Sequence, residues 1–502
     1  MAMSSKASSS RSAGRFKPSA RGVLLAAGLA VAALALVGCK KVLNGGSDEE
    51  VYHVRMLNLL EDSPTVQYSI DSTVISSSGY LAATSMNAAH PGAHTVSFAI
   101  ARPASLNSSD TTDPIPIGGS FQASYTKNTD YTIFAYGKQN NPQTFMMDEP
   151  SNRPTPAAAT IEYQFVNASP NIANADVYIT AAEGGVTSPT KVATVAFGAK
   201  STPATMTLTR RADVTDTSAA LIVDFIIELR DPTSGAGLFK SGKIRLTEKT
   251  RLLWAFANNI GPGPSKVKLV GIDGVTGQAL DINDQAAVRA VHVSPDSGNF
   301  DIFRSSSLTT PIAANIAFRG TSPYAKVPVG DVDLVAMPAS STAVTIIFVD
   351  EFTSLSNNSY SAYTVGNQGD VDALVLTDNR RSVPTQSTFR FLNVAPSLNG
   401  QDGLDVYLTL PGQTLDFTTT DANNANKASK FKRGTIAYKG SLDFITLKSG
   451  TYEVRMTPTG TSRIVLDTPI TVTDGSVQTL ALIDDRETAS LELMPVEEAL
   501  TQ

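Results

Sequence analysis

Four passages of this chain open on the same phrase. MLNLLEDSPTVQYSI (56–70), FVNASPNIANADVYI (165–179), VHVSPDSGNFDIF (291–303) and FLNVAPSLNGQDGLDVYL (391–408) align on Asn58, Asn167, His292 and Asn393. The anchors stand 109, 125 and 101 residues apart. A repeat of that period is the size of a domain, so the chain folds as consecutive copies of one unit and not around one large core.

Within the phrase, Pro170, Pro295 and Pro396 follow their anchors by three places; the first copy has its proline later, at Pro64. A second signature comes next, Asp176-Val177-Tyr178, Asp301-Ile302-Phe303 and Asp405-Val406-Tyr407, with Gln67-Tyr68-Ser69 in the first copy. Further on, PGAHTVSF (91–98), VGDVDLVAM (329–337) and SGTYEVRM (449–456) each set a turn glycine before an alternating run.

Alternation of this kind is the mark of a half-buried strand. Proline lacks the N–H that a ladder needs and so ends a strand, while the Asx and Gly residues around it supply the turn. Many short strands and no convincing long helix predict an all-β chain of tandem antiparallel β-sandwiches, Ig-like or transthyretin-like. The expected units are 51–150, 158–283, 286–384 and 387–498. The second is the longest and the candidate for an inserted hairpin, and its ALIVDFIIEL (220–229) reads as a central strand covered on both faces, with RRADVTDTS and RDPTSGAG as flanking loops.

The N-terminus is a separate object. Lys6, Arg11, Arg15, Lys17 and Arg21 precede the apolar run Val23 to Val37, too short to span a bilayer comfortably, and the run ends in Leu36-Val37-Gly38-Cys39. This resembles the bacterial lipoprotein signal, the lipobox. The resemblance implies cleavage of residues 1–38, acylation of Cys39 and a flexible tether over 39–50. Acyl chains contribute about 0.8 kcal/mol per buried methylene, enough together for stable anchoring. Lys40 in place of Asp favours the outer membrane by analogy with enterobacterial sorting. The expected location is therefore the cell envelope, on its periplasmic or surface face, with the membrane as partner through the lipid.

Cys39 is the only cysteine, so no intramolecular disulfide is possible and packing must supply stability. Without residues 1–38 the chain carries about −11, 35 basic against 46 acidic residues, which argues against nucleic acid as a partner.

The repeated phrases resemble the DUF4397 family, in which a V-x-N/H-A-S-P-D opening is followed by D-V-Y. The resemblance covers nearly all of 51–495 as consecutive units, strongest in the third and fourth copies and weakest in the first. It implies sandwich domains in exported bacterial proteins, and it supplies no catalytic residue.

His292, Ser294 and two aspartates within thirteen positions look like a catalytic cluster. The counterparts of His292 are asparagines, which cannot act as general bases, and Ser294 corresponds to Ala395 in the fourth copy. What His and Asn share is a planar side chain that both donates and accepts, so the position is expected to satisfy backbone groups at the turn. Trp254, in RLLWAFANN, is expected in a core. Four scattered His and one cysteine predict no zinc site and no cofactor. The junction DINDQ (281–285) is the one place where two modules could gather oxygens for Ca²⁺, against the plainer reading of a solvated linker.

The function these features predict is non-enzymatic: binding or structure at the envelope, with an envelope polymer, protein or glycan as the possible ligand. The alternative is an envelope carbohydrate-active hydrolase with its site in the second copy or at a junction.

Overall fold

A computed structural model describes residues 51–181, 188–209, 220–273, 277–339, 348–420, 425–488 and 490–499. The signal region, Cys39, the tether and the loop RRADVTDTS lie outside the described residues. From Glu50 on, the chain forms one compact unit.

The first module shows the plan. Its strands are β1 (Tyr52–Leu60), β2 (Val66–Ile70), β3 (Thr73–Ser78), β4 (Asn87–Ala89), β5 (Gly92–Ile100), β6 (Ile115–Tyr125), β7 (Thr129–Lys138) and β8 (Asn141–Pro150). They form two four-stranded sheets, ordered β4-β1-β7-β8 and β3-β2-β5-β6. The ladders are antiparallel except one: β1 lies parallel to β7 along its length. Modules 2, 3 and 4 repeat that parallel pair with first strands Thr160–Asn167, Ala286–His292 and Ser387–Asn393. The chain is thus all-β, with tandem sandwiches that are antiparallel apart from this one pairing per module. The pairing places the first strand inside a sheet, so ladder bonds satisfy it on both sides.

Each module has its own apolar core between its two sheets. Ile222–Arg230 is central in the second sheet of module 2, and Trp254 is in that module's core. The extra length of this module includes one added hairpin strand, Gly277–Ala279, which returns antiparallel along Val267–Asp273. In addition, the strand that follows Ile222–Arg230 is broken into Gly237–Lys240 and Ile244–Thr247, both paired to it.

Two further apolar clusters belong to no single module. Leu57, Leu59, Phe134 and Tyr136 of module 1 pack on Val166, Leu253, Ala255 and Val270 of module 2. Val291, Val293, Tyr363 and Val365 of module 3 pack on Leu392, Val394, Ala481 and Ile483 of module 4. In both pairs the sheet carrying the first strand meets its counterpart face to face. A string of modules touching only their sequence neighbours, the arrangement a tandem repeat suggests, is not what forms. Module 1 also reaches module 4, where Leu106 joins the core, Ala104 bridges Leu447 and Lys448 pairs with Asp110 at 3.0 Å.

Candidate functional site: the signature strand and the interfaces it builds

Strand alternation divides the opening phrase between two jobs. In module 4, Phe389 and Phe391 face the module's core, while Leu392 and Val394 lie in the cluster shared with module 3. Both faces are buried, which explains why all seven residues of Ser387–Asn393 are inaccessible.

The anchor residue sits at the end of this strand, fully buried in every copy. Asn58 Oδ1 accepts the Leu60 N–H at 3.1 Å, Asn167 Oδ1 accepts Ser169 N–H at 3.1 Å and Asn393 Oδ1 accepts Ala395 N–H at 3.3 Å. Asn167 Nδ2 also donates to Ile172 O at 2.9 Å, and Asn58 Nδ2 to Ser78 O at 3.2 Å. His292 does the same work with a ring: Nδ1 faces the Ser294 N–H at 3.3 Å and the Thr364 hydroxyl at 3.0 Å, and Nε2 faces Gly298 O at 3.0 Å. An acceptor at Nδ1 and a donor at Nε2 describe the neutral Nε2–H tautomer. Burial pushes the His292 pKa down to about 4, so the ring stays neutral at physiological pH. Ser294 donates to Gly366 O at 2.5 Å, a backbone contact across the same turn. The apparent catalytic cluster closes a turn.

Three residues before the anchor, on the opposite face, stand Arg55, Gln164, Arg289 and Arg390. The arginines repeat one gesture: Nε donates across the parallel pair to Thr132, Ser361 or Thr479. Their outer nitrogens then cross to the partner module. Arg55 holds Asp273 through both Nη atoms at 2.7 and 2.6 Å. Arg390 Nη2 reaches Asp378 of module 3 at 3.3 Å while also meeting Glu498 of its own module at 3.0 Å, and Arg289 Nη1 donates to Glu497 O of module 4 at 2.6 Å. Asp378 and Glu498 are 0% exposed, and burial raises the pKa of both. Ser361 and Tyr324 each donate to Asp378 at 2.7 Å. Sequence reasoning missed these arginines, although apolar residues at adjacent positions of the first strands, such as Phe391 and Leu392 or Met56 and Leu57, were the available signal that both faces are covered.

The remaining signature residues sit where turns and edges need them. Pro170 and Pro295 open turns and Pro396 starts a 3₁₀ turn, Pro396–Leu398. Asp176, Asp301 and Asp405 lie on the outer face of the second sheet. Asp176 accepts from Thr194 at 2.6 Å and pairs with Lys191 at 2.7 Å; Lys191 chiefly holds its pKa below the carboxylate norm. Asp405 repeats this with Thr435 at 2.6 Å and Lys432 at 2.8 Å. Asp301 accepts the Asn315 N–H at 2.6 Å.

At the DINDQ junction, Asp281 accepts the N–H groups of Lys240 at 2.8 Å and Asn283 at 2.7 Å. Asp284 is buried, and its pKa is raised to about 6 by that burial and by Asp281. Its Oδ1 is closed over by Gly263 (φ +140°), where a β-carbon would come within 2.3 Å of that oxygen. Among the described residues no three His, Cys, Asp or Glu side chains are grouped to hold a metal, and no helix is long and apolar enough to cross a membrane.

Sandwiches joined in pairs through doubly buried signature strands define the class: a tandem β-sandwich protein. Residues 52–178 and 286–401 match the family described as "Domain of unknown function (DUF4397)", and these stretches belong to it. Each match runs through one whole sandwich and into the opening phrase of the next, the module with which it shares an apolar interface cluster. No curated protein matches the chain. Among solved structures, the chain is similar to the Bacillus anthracis TIE protein (9% identity, 88% of this chain, 76% of that one, TM-score 0.15). It is also similar to a fimbrial assembly protein from Parabacteroides distasonis (11%, 43% and 95%, 0.19) and to BcpA, the major pilin subunit of Bacillus cereus (10%, 66% and 99%, 0.14). At scores this low these likenesses carry no functional implication.

Proposed function

We propose that the chain is a lipid-anchored bacterial envelope protein whose four sandwiches serve a non-enzymatic binding or structural role. One observation carries the reading. The anchor residues and strand arginines the modules repeat are bonded within their own module or across to a neighbouring one, and none of them is left facing a substrate. Asn58, Asn167, His292 and Asn393 brace turns, and Arg55, Arg289 and Arg390 reach across module interfaces to Asp273, Glu497 O and Asp378. The raised carboxylate Asp284 is shut in beneath Gly263, which gives the hydrolase alternative no support.

The lipobox Leu36-Val37-Gly38-Cys39 supports anchoring through acylated Cys39, with the outer membrane as the proposed site and an envelope polymer, protein or glycan as the proposed ligand. Two measurements test this. Mass spectrometry of the protein from its native envelope should find Cys39 as an acylated N-terminus, and Cys39→Ser should release the protein to the soluble fraction; an unmodified mature N-terminus elsewhere would refute the anchor. Proximity labelling in the envelope together with a glycan array should return a partner, and silence in both would refute the binding role.

A further inference from the structure

The outer face of the second sheet is one surface that the modules treat differently, and the difference lies in the loop between their second and third strands. Module 1 turns there in two residues, Asp71 and Ser72, both at positive φ. Module 3 uses residues 305–312, which lay Leu308 on Phe303, Val335 and Met337, an apolar plug. Module 4 uses residues 410–431. Loops of that length without a regular element of size are unusual in compact domains and commonly functional.

The described part of this excursion is built in place. Arg455 Nη1 donates to Gln413 O at 2.8 Å, Asp416 caps the Thr418 and Thr419 N–H groups at 3.0 Å, and Ala428 is fully buried. Phe417 meets Tyr407 edge-on with centroids 5.5 Å apart. Between the excursion and the 460–462 turn lies a cavity of about 400 Å³, within the ~300–1,000 Å³ range of small-molecule sites. Its lining includes Asp405, Lys432, Phe417, Asn426 and Thr461. Asp405 and Lys432 neutralise each other at 2.8 Å. The rest of the lining is mainly hydroxyl and amide groups beside two aromatic rings. Such walls suit a ligand that is neutral, rich in hydroxyls and flat on one side, and suit neither an anion nor an apolar chain.

We propose that this cavity binds a neutral saccharide, one or two sugar units of a larger glycan. The proposal rests on the binding role above and assigns it to module 4. The test is saturation-transfer difference NMR and calorimetry on the full chain with a panel of neutral mono- and disaccharides. Two variants accompany it: Phe417→Ala, which removes a half-exposed wall, and Thr461→Val, which keeps the shape of the opposite wall and removes its hydroxyl. At least one sugar should bind, and each variant should weaken it tenfold or more with thermal unfolding unchanged for Phe417→Ala. Sugar binding that both variants leave intact would overturn this site while sparing the binding role. No sugar binding by the folded wild type overturns the proposal, and the envelope labelling experiment then decides the role separately.

Discussion

Modules 1 and 2 meet through the same sheets as modules 3 and 4, yet the polar parts of the two interfaces differ. Between 1 and 2 a single signature-strand arginine crosses, Arg55, because Gln164 occupies the second position and turns back to Ser201 O of its own module at 2.7 Å. Its carboxylate partner, Asp273, is 31% exposed. Between 3 and 4 the arginines of both signature strands cross, joined at the rim by Arg319, Arg380 and Arg486, and Asp378 and Glu498 are sealed. One scaffold thus supports an interface whose ion pair can be hydrated and one whose charges depend wholly on each other. A buried charge that loses its partner has no water to replace it.

The largest effect should therefore come from Asp378→Ala, which leaves Arg289 without a carboxylate and Arg390 with Glu498 alone in a sealed site, and takes an acceptor from Ser361 and Tyr324. The expected loss is about 3–5 kcal/mol, read by denaturant unfolding, with hydrogen exchange rising first along Ser359–Val365 and Val477–Asp484. Asp273→Ala should cost far less. Equal losses would break the contrast drawn between the interfaces.

Next come the apolar clusters, where the two interfaces should behave alike. Leu57→Ala and Leu392→Ala each delete a fully buried side chain from a shared cluster, at about 2–5 kcal/mol each. A near-zero cost at either position would show that its modules do not rely on one another.

His292 sharpens the comparison through pH. Its folded pKa, about 4, lies below the ordinary 6.5, so the unfolded chain takes up a proton between these values that the folded chain refuses. Stability from this residue is intact above pH 6.5 and falls as pH drops toward 4, by up to about 3 kcal/mol at ~1.4 kcal/mol per unit. Asp284, raised to about 6, has the opposite sign and gains stability on acidification from 6 toward 4. The difference between wild type and His292→Asn isolates the histidine. Asn, the residue of the other three copies, should hold the turn and flatten that part of the profile; an unchanged profile would mean the ring is not buried neutral.

The anchor positions were readable because they recur at domain-sized intervals and a planar donor–acceptor fits only a few backbone roles. Asn58, Asn167, His292 and Asn393 could be placed at a turn before any coordinates. The arginine three residues earlier was equally repeated and went unread, because its meaning is set by what covers the sheet from outside. A strand such as TFRFLN (388–393) announces that both faces are covered, and not by what. Nor could sequence reveal the parallel β1–β7 pair, since strand direction depends on the path between strands and not on side-chain periodicity. The contact of Leu106 with the fourth module's core was hidden for the same reason, joining residues more than three hundred apart.

The smallest effect distinguishes hydration from sealing most directly. Arg55→Met keeps the length of the stem, which packs between modules, and removes only the charged fork. Asp273, left behind, is 31% exposed and can take water in exchange, so the loss should be about 1 kcal/mol and should shrink as salt is raised. Arg390→Met makes the same chemical change where Glu498 and Asp378 cannot be hydrated, and should cost several times more with little salt dependence. Completing the double cycle with Asp273→Asn measures the coupling itself. If Arg55 and Asp273 proved coupled as strongly as Arg390 and Asp378, exposure would not be what separates the two interfaces. The cause would then have to be sought in their geometry, since the Arg55 pair is bidentate and the Arg390 contacts are split between two carboxylates.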